Sequence, residues 1–197
     1  MQPPHNNARI RQSNNRTIEQ LVIGPYALDT ALLEIDPADV KAGLRVLILN
    51  QRSETWEALG FRVMDTVSRI FFTHREDLGF SNDALRYWRG APKYGEKTFG
   101  ALMPHQAARG PRWTYNHAVA LFALQIPDEV GVEPLVEGEF DMGYSAAIRL
   151  RAGKGSVTYS SFEFKDRVPD DPAATATARA LFQTALGKCE RCEKCER

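Results

Sequence analysis

The apolar positions of the chain form short blocks that Gly, Pro and charged residues separate. A first run starts at Ile18 and is closed by Gly24, which is typical of a buried strand that ends in a turn. Residues 28–35 place apolar side chains at helical spacing, and Asp36 before a proline predicts the cap of a further helical turn. Residues 46–49 are apolar throughout, which favours a strand covered on both faces.

The stretch after this strand predicts a second helix. Ser53 is placed to cap it, Gly60 to end it, and Trp56 and Leu59 to face inward. The order so far is β-α-β-α, and because crossover connections are right-handed, a parallel sheet is the expected topology.

The second half of the chain is less regular. Residues 61–76 predict one or two strands, 81–90 a short helix and 117–127 a further strand, while 91–116 show no periodicity and predict a long loop. The acidic run 136–144 is explained equally well as a pair of glycosidase carboxylates or as a charged loop between strands.

The end of the chain carries a hairpin signal and a helix signal. Gly153 and Gly155 supply the turn between the runs 146–151 and 156–164, which are predicted to pair antiparallel. An alanine-rich helix follows, with Asp171 as its cap and Pro172 at its first position. Its buried side is predicted to hold Leu181, Phe182 and Leu186.

Composition limits the classes of protein that fit. The 197 residues, 43% of them hydrophobic, suffice for one domain: a polar arm over 1–17, the domain over 18–187 and a charged tail over 188–197. With 25 basic and 25 acidic side chains, the net charge is zero, which disfavours nucleic acid as a partner. No run is long enough for a membrane span and no secretory signal precedes the domain, so we expect a soluble chain of unassigned localisation.

Several stretches resemble a known family. The run "AIRLRAGKGSVTYSSFEF", followed by a helix that begins Asp-Pro-Ala, resembles the carboxyl end of class I glutamine amidotransferase-like domains. Upstream, "VIGPYAL", "AGLRVLILNQ", "WEALGFRV", "ALRYWRG" and "PLVEGEFDMGYSAAI" resemble the variant that occurs as a late module in bacterial proteins related to β-galactosidases and other glycoside hydrolases. The resemblance covers roughly residues 20–186. It implies an α/β fold, a flavodoxin-like three-layer sandwich with a mostly parallel central sheet and an antiparallel hairpin near the C-terminus.

The residues that would make such a domain catalytic are missing. An amidotransferase needs a cysteine thiolate at a sharp strand-to-helix turn, and the matching turn here, "LILNQRSE", offers Asn50 and Gln51. We therefore expect a non-catalytic accessory domain of a carbohydrate-active protein, a scaffold or interaction module whose partner is a neighbouring catalytic domain or a second copy. The alternative is a glycoside-hydrolase-related hydrolase, or a module that binds a sugar or another small polar ligand at the carboxyl edge of the sheet.

Polar and aromatic side chains near that edge and in the following loops are the candidate ligand-binding residues. Each also has a structural interpretation: His74 as a surface residue, Trp88 as a core anchor, and the acidic residues as a charged loop. The candidates are Gln51, Arg52, Glu54, His74, Trp88, Arg89, Glu139 and Asp141.

The tail "KCERCEKCER" holds the three cysteines of the chain. Cys189, Cys192 and Cys195 are spaced as thiolate ligands of zinc, although a closed zinc site usually has four ligands. The alternative is a solvated terminus with incidental thiols. No other cofactor is predicted, because no pair of histidines has metal-binding spacing.

Overall fold

Eight strands hydrogen-bond into one mixed sheet in the part of the chain that the structure describes. The structure is a computed structural model, and it describes residues 19–28, 35–65, 71–85, 88, 119–120, 122–138, 142–165 and 167–187. The strands are β1 (Gln20–Ile23), β2 (Arg45–Ile48), β3 (Val63–Asp65), β4 (Phe71–Phe72), β5 (Phe122–Gln125), β6 (Val132–Gly138), β7 (Tyr144–Ala152) and β8 (Gly155–Ser160). The helices are α1 (Pro37–Ala42), α2 (Ser53–Ala58) and α3 (Pro172–Leu186), with a 3₁₀ helix over Glu76–Leu78.

The sheet has a parallel part and a larger antiparallel part. Strands β1, β2 and β8 lie side by side and parallel. Beyond β8 the pairing is antiparallel: β7 pairs with β8 and β5 along one edge and with β6 along the other, while β3 adds to β5 and β4 to β6. The predicted flavodoxin-like sandwich with a mostly parallel sheet is therefore wrong, because most of the described strand pairs are antiparallel, and the described residues form eight strands but three α-helices.

Strand β6 explains much of this difference. The sequence predicts no strand over residues 132–138, and a charged loop explains the acidic run 136–144 as well as a pair of catalytic carboxylates does, yet Val132–Gly138 pairs with β7 over almost its whole length. Register shifts on either side of Val136 break the alternation of the strand, so that the adjacent residues Leu135 and Val136 are both buried. A polar-apolar alternation interrupted in this way does not look like a strand in the sequence.

Helices α1 and α3 and the β7–β8 hairpin lie where the sequence predicts them. The Asp36 carboxylate accepts from the backbone N–H of Ala38 at 2.8 Å, and that of Asp171 accepts from Ala174 at 2.9 Å. Gly153, at φ 59°, lies in the turn that joins β7 to β8. The predicted caps and the antiparallel hairpin are confirmed.

Helices cover both faces of the parallel part of the sheet. On one face α3 buries Leu181 and Ala185 against Leu47 of β2. On the other, Val40 of α1 and Trp56 of α2 pack with apolar residues that include Val46 and Ile48. Residues 46–49 are accordingly buried, as their uniform apolar character predicted.

Three side-chain predictions are wrong. Ser53 is the first helical residue of α2 and not its cap; the cap position is Arg52, whose side chain makes no capping hydrogen bond. Leu59 and Phe182, predicted to be buried, are 38% and 37% exposed: Leu59 is the C-cap that follows the last residue of α2, and Phe182 is not among the buried residues of α3. Within the described residues, no helix is long and apolar enough to cross a membrane.

Candidate functional site

The three parallel strands end together at one edge of the sheet. Ile23 of β1 pairs with Ile48 of β2, and Ile48 pairs with Tyr159 of β8, so the residues that follow each strand lie close to one another. In open α/β sheets, ligands bind beyond the carboxyl ends of the parallel strands, which lie at this edge. It is therefore the place to look for functional groups.

Three polar side chains converge there, one after each strand. Tyr26 donates from its hydroxyl to Oε2 of Glu163 at 2.8 Å, and Nδ2 of Asn50 donates to the same oxygen at 2.7 Å. The Asn50 amide also donates to the Tyr26 hydroxyl oxygen at 3.1 Å. We call Tyr26, Asn50 and Glu163 the carboxyl-edge cluster.

Two members of the carboxyl-edge cluster are deeply buried; an oxygen of one lacks a hydrogen-bond partner, and the other forms no ion pair within the described residues. Asn50 and Glu163 are each 1% exposed, and Oδ1 of Asn50 has no hydrogen-bond partner. Among the described residues, no cationic side chain forms an ion pair with the Glu163 carboxylate. Buried carboxylates and amides are normally paired, because leaving them unpaired costs several kilocalories per mole.

The backbone at Tyr26 is held in an unusual conformation. Its φ is 57°, in the left-handed region that residues other than glycine seldom adopt, and its N–H donates to the Asn50 carbonyl at 2.8 Å. The side chain is half-buried, so it connects the interior of the carboxyl-edge cluster with the surface. Strained residues of this kind are concentrated at binding and catalytic sites.

Gln51 shapes the edge from within. It is fully buried, its Nε2 donates to the carbonyls of Gly24 and Leu49, and its Oε1 accepts from the Leu28 backbone N–H at 2.9 Å. Both amide N–H groups of Gln51 are therefore used to fix the segment that follows β1. The residue positions Tyr26 instead of presenting its own amide donors to a ligand.

An arginine lies beneath the carboxyl-edge cluster. Arg167 is 1% exposed, its guanidinium lies 5.5 Å from the centre of the Trp88 ring, and its Nη1 donates to the Glu163 carbonyl at 3.3 Å. Burial lowers the pKa of Arg167, while the nearby Glu163 and Asp171 charges oppose that shift. Arg167 therefore contacts Glu163 through a hydrogen bond to its backbone and through an electrostatic interaction with its charge.

The residues predicted from sequence are not brought together at one site. Gln51, Arg52 and Glu54 do lie at the carboxyl edge, the last two exposed on the surface at the start of α2. His74 follows β4, which four strand spacings, about 19 Å across the sheet, separate from β2; because β4 runs opposite to β8, His74 also lies at the other edge of the sheet. It is exposed, packs against Phe72 and lies 3.9 Å from Glu137.

Trp88 is a core residue. It is fully buried, stacks with Phe164 at a centroid distance of 5.3 Å, and donates from its indole N–H to the Ala84 carbonyl. The other predicted residues, Arg89, Glu139, Asp141 and the zinc candidates Cys189, Cys192 and Cys195, lie outside the described residues. Within the described residues, no group of His, Cys, Asp and Glu has the arrangement of a metal site.

Sequence reasoning missed two members of the carboxyl-edge cluster. Tyr26 follows a turn signal and Glu163 stands between two phenylalanines at the end of an apolar strand. The sequence does offer one signal: a single acidic residue lies between Phe162 and Phe164, shortly after an apolar strand. A carboxylate in such a position either faces solvent or is buried with hydrogen-bonding partners.

In comparisons with known proteins, no family model matches the chain and no curated protein matches it significantly. The resemblance to amidotransferase-like domains remains a prediction, and the mixed sheet differs from the parallel sheet that it implies.

Proposed function

We propose that the chain is a non-catalytic accessory domain that binds a small polar ligand at the carboxyl-edge cluster. The observation that carries this proposal is a buried carboxylate, Glu163, held by neutral donors at the end of three parallel strands without an ion pair among the described residues. Such a group is costly to bury, and a ligand that donates to it would offset that cost.

The chemistry of the edge supports binding more than hydrolysis. Nucleophilic catalysis needs a hydroxyl or thiol beside a general base. The nearby Ser161 hydroxyl instead donates to the Phe122 carbonyl at 2.6 Å, and His74 lies four strands away. No feature of the described residues favours the hydrolase alternative.

A panel of small ligands tested by thermal unfolding examines the proposal. Monosaccharides, polyols, amino acids and amines are added singly, and a compound that binds only the folded chain at 100 times its Kd adds about 2.7 kcal/mol of stability. We expect at least one class to raise Tm for the natural sequence and to lose this effect in Glu163→Gln. The matched control is Glu57→Gln, which removes an exposed carboxylate on α2.

Two results would contradict binding at this site. One is a panel in which no compound raises Tm. The other is an equal rise in the natural sequence, Glu163→Gln and Glu57→Gln, which would place the ligand elsewhere.

A further inference from the structure

The hydrogen-bond groups of the carboxyl-edge cluster specify more than a polar ligand. Each proton donor in the cluster is already used: the Tyr26 hydroxyl donates to Glu163, and the two Asn50 N–H groups donate to Tyr26 and Glu163. The amide donors of the neighbouring Gln51 are used by backbone carbonyls. Among the side chains of Tyr26, Asn50, Gln51 and Glu163, only acceptor atoms remain open.

Two acceptor atoms remain. Oδ1 of Asn50 is buried and accepts no hydrogen bond. The Glu163 carboxylate takes both of its hydrogen bonds at Oε2, and among the described residues none donates to Oε1. The orientation of the Asn50 amide is fixed by its neighbours, since a flipped amide would turn its oxygen toward the carboxylate and lose both donated bonds.

We propose that the carboxyl-edge cluster binds a primary ammonium group, which donates to Asn50 Oδ1 and to the free oxygen of Glu163. This inference rests on the proposed function and names its ligand class. An ammonium carries three donors and no acceptor, so it matches a site that offers acceptors alone. A sugar hydroxyl matches it less well, because its oxygen also needs a donor, and the donors of the cluster are spent.

Charge points to the same class of ligand. The Glu163 carboxyl group is 1% exposed and forms no ion pair within the described residues; Arg167 donates a hydrogen bond to the Glu163 backbone carbonyl, and its charge acts on the carboxyl group at longer range. An ammonium would form a charge-assisted pair with the carboxylate, and such hydrogen bonds are shorter and stronger than those between neutral groups.

Binding of n-propylammonium chloride, measured by calorimetric titration and by Tm, tests the inference. The comparison compounds are 1-propanol, which matches it in size without the charge, and myo-inositol, which is a polyol. We expect n-propylammonium to bind and both neutral compounds to bind at least about tenfold more weakly. Potassium and calcium chloride serve as separate arms, since carboxylate and amide oxygens also bind metal cations.

Variants locate the ammonium. Glu163→Gln keeps the size of the side chain and removes its charge, so the affinity for n-propylammonium should fall about 10- to 100-fold. Asn50→Ala should weaken it as well, and if that variant does not fold, Glu163→Gln alone remains decisive. Glu57→Gln should leave the affinity unchanged.

The outcomes separate the inference from the proposed function. Binding of myo-inositol without n-propylammonium, or a response to the metal salts alone, overturns the ammonium inference and leaves a binding site at the cluster. Undiminished binding of n-propylammonium to Glu163→Gln overturns the assignment to this cluster. Failure of every compound in both panels overturns both proposals.

Discussion

The side chains of the carboxyl-edge cluster have two roles. They connect the segments that follow the parallel strands, and they leave two hydrogen-bond acceptor atoms open. Tyr26, which follows β1, reaches across to Glu163, which follows β8 and lies 137 positions along the chain. The same hydroxyl accepts from Asn50 after β2. Removal of the polar group of Tyr26, Asn50 or Glu163 therefore weakens the connection between three separate segments of the chain.

Tyr26→Phe removes the hydroxyl and keeps the ring. The Glu163 carboxylate then loses one of the two hydrogen bonds that its Oε2 accepts, and we expect the free energy of unfolding to fall by about 1–2 kcal/mol, measured by urea denaturation. Tyr144→Phe is the control, because the Tyr144 hydroxyl makes no hydrogen bond within the described part of the chain. Equal small effects in both variants would show that the Tyr26 hydroxyl does not stabilise the folded chain.

At the scale of elements, four charged side chains connect β6, β7 and the segment before the 3₁₀ helix. We call Glu133, Arg75, Arg149 and Arg151 the charged cluster. The Glu133 carboxylate accepts from Arg149 at 2.9 Å, from Arg151 at 3.0 Å and from Arg75. Burial raises the pKa of Glu133, but the hydrogen bonds from these three arginines outweigh it and lower the pKa from 4.5 to about 2. Arg149 also donates to the Thr184 carbonyl, which ties this cluster to α3.

The lowered pKa of Glu133 predicts how stability depends on pH. A carboxyl group whose pKa is lower in the folded chain stabilises it above the ordinary value of 4.5, and this contribution is lost as the pH falls toward about 2. Glu133→Gln should reduce stability at pH 7 by roughly 1–2 kcal/mol, allowing for solvent screening, and should flatten the acid-side loss between pH 5 and 2. Urea denaturation across this range measures both effects.

The exposed Glu129 supplies the comparison for this prediction. Glu129→Gln should keep the pH dependence of the natural sequence. An unchanged acid-side slope in Glu133→Gln would show that the three arginines do not act on the stability of the fold through this carboxylate.

The contact of α1 with β8 depends on a glycine. A Cβ atom at Gly155 would overlap the backbone carbonyl oxygens of Val40 and Leu44, and backbone cannot move aside as a side chain can. Gly155→Ala should therefore destabilise the chain by about 3 kcal/mol or more in urea denaturation. Gly24→Ala, where a Cβ meets no atom within 4 Å, should change stability by less than about 1 kcal/mol. Similar losses in the two variants would contradict this account of the α1 contact.

The elements also show how far sequence reasoning reaches. Caps and turns are set by neighbours in the chain, so Asp36, Asp171 and the Gly153 turn were predictable. The direction of β5 is set by its pairing with β7, some twenty positions away, and local periodicity does not encode it. The sequence could predict that Asn50 lies at the carboxyl edge of the sheet. It could not predict that Glu163 lies beside Asn50, because this depends on the parallel pairing of β2 with β8.

In the whole molecule, the parallel strands serve both cores. Leu47 packs with α3 on one face of the sheet, and Val46 and Ile48 pack with α1 and α2 on the other. The charged cluster lies at the start of β6, which runs in the same direction as β8, so it occupies the edge opposite Glu163. The carboxyl-edge cluster and the charged cluster thus connect strands at opposite edges of the same sheet.

Because β2 contributes side chains to both cores, we predict that the cores on the two faces of the sheet unfold together. Trp56 lies in the core under α2 and Trp88 in the core under α3, each fully buried, so each reports on its own face. With Trp113 and one of these two replaced by Phe, the fluorescence of the remaining tryptophan should give the same urea midpoint for either face. Leu181→Ala, which opens a cavity only on the α3 face, should cost about 3 kcal/mol and move both midpoints equally. If it moved only the Trp88 midpoint, β2 would not couple the faces, and the sheet would be two separately stable halves.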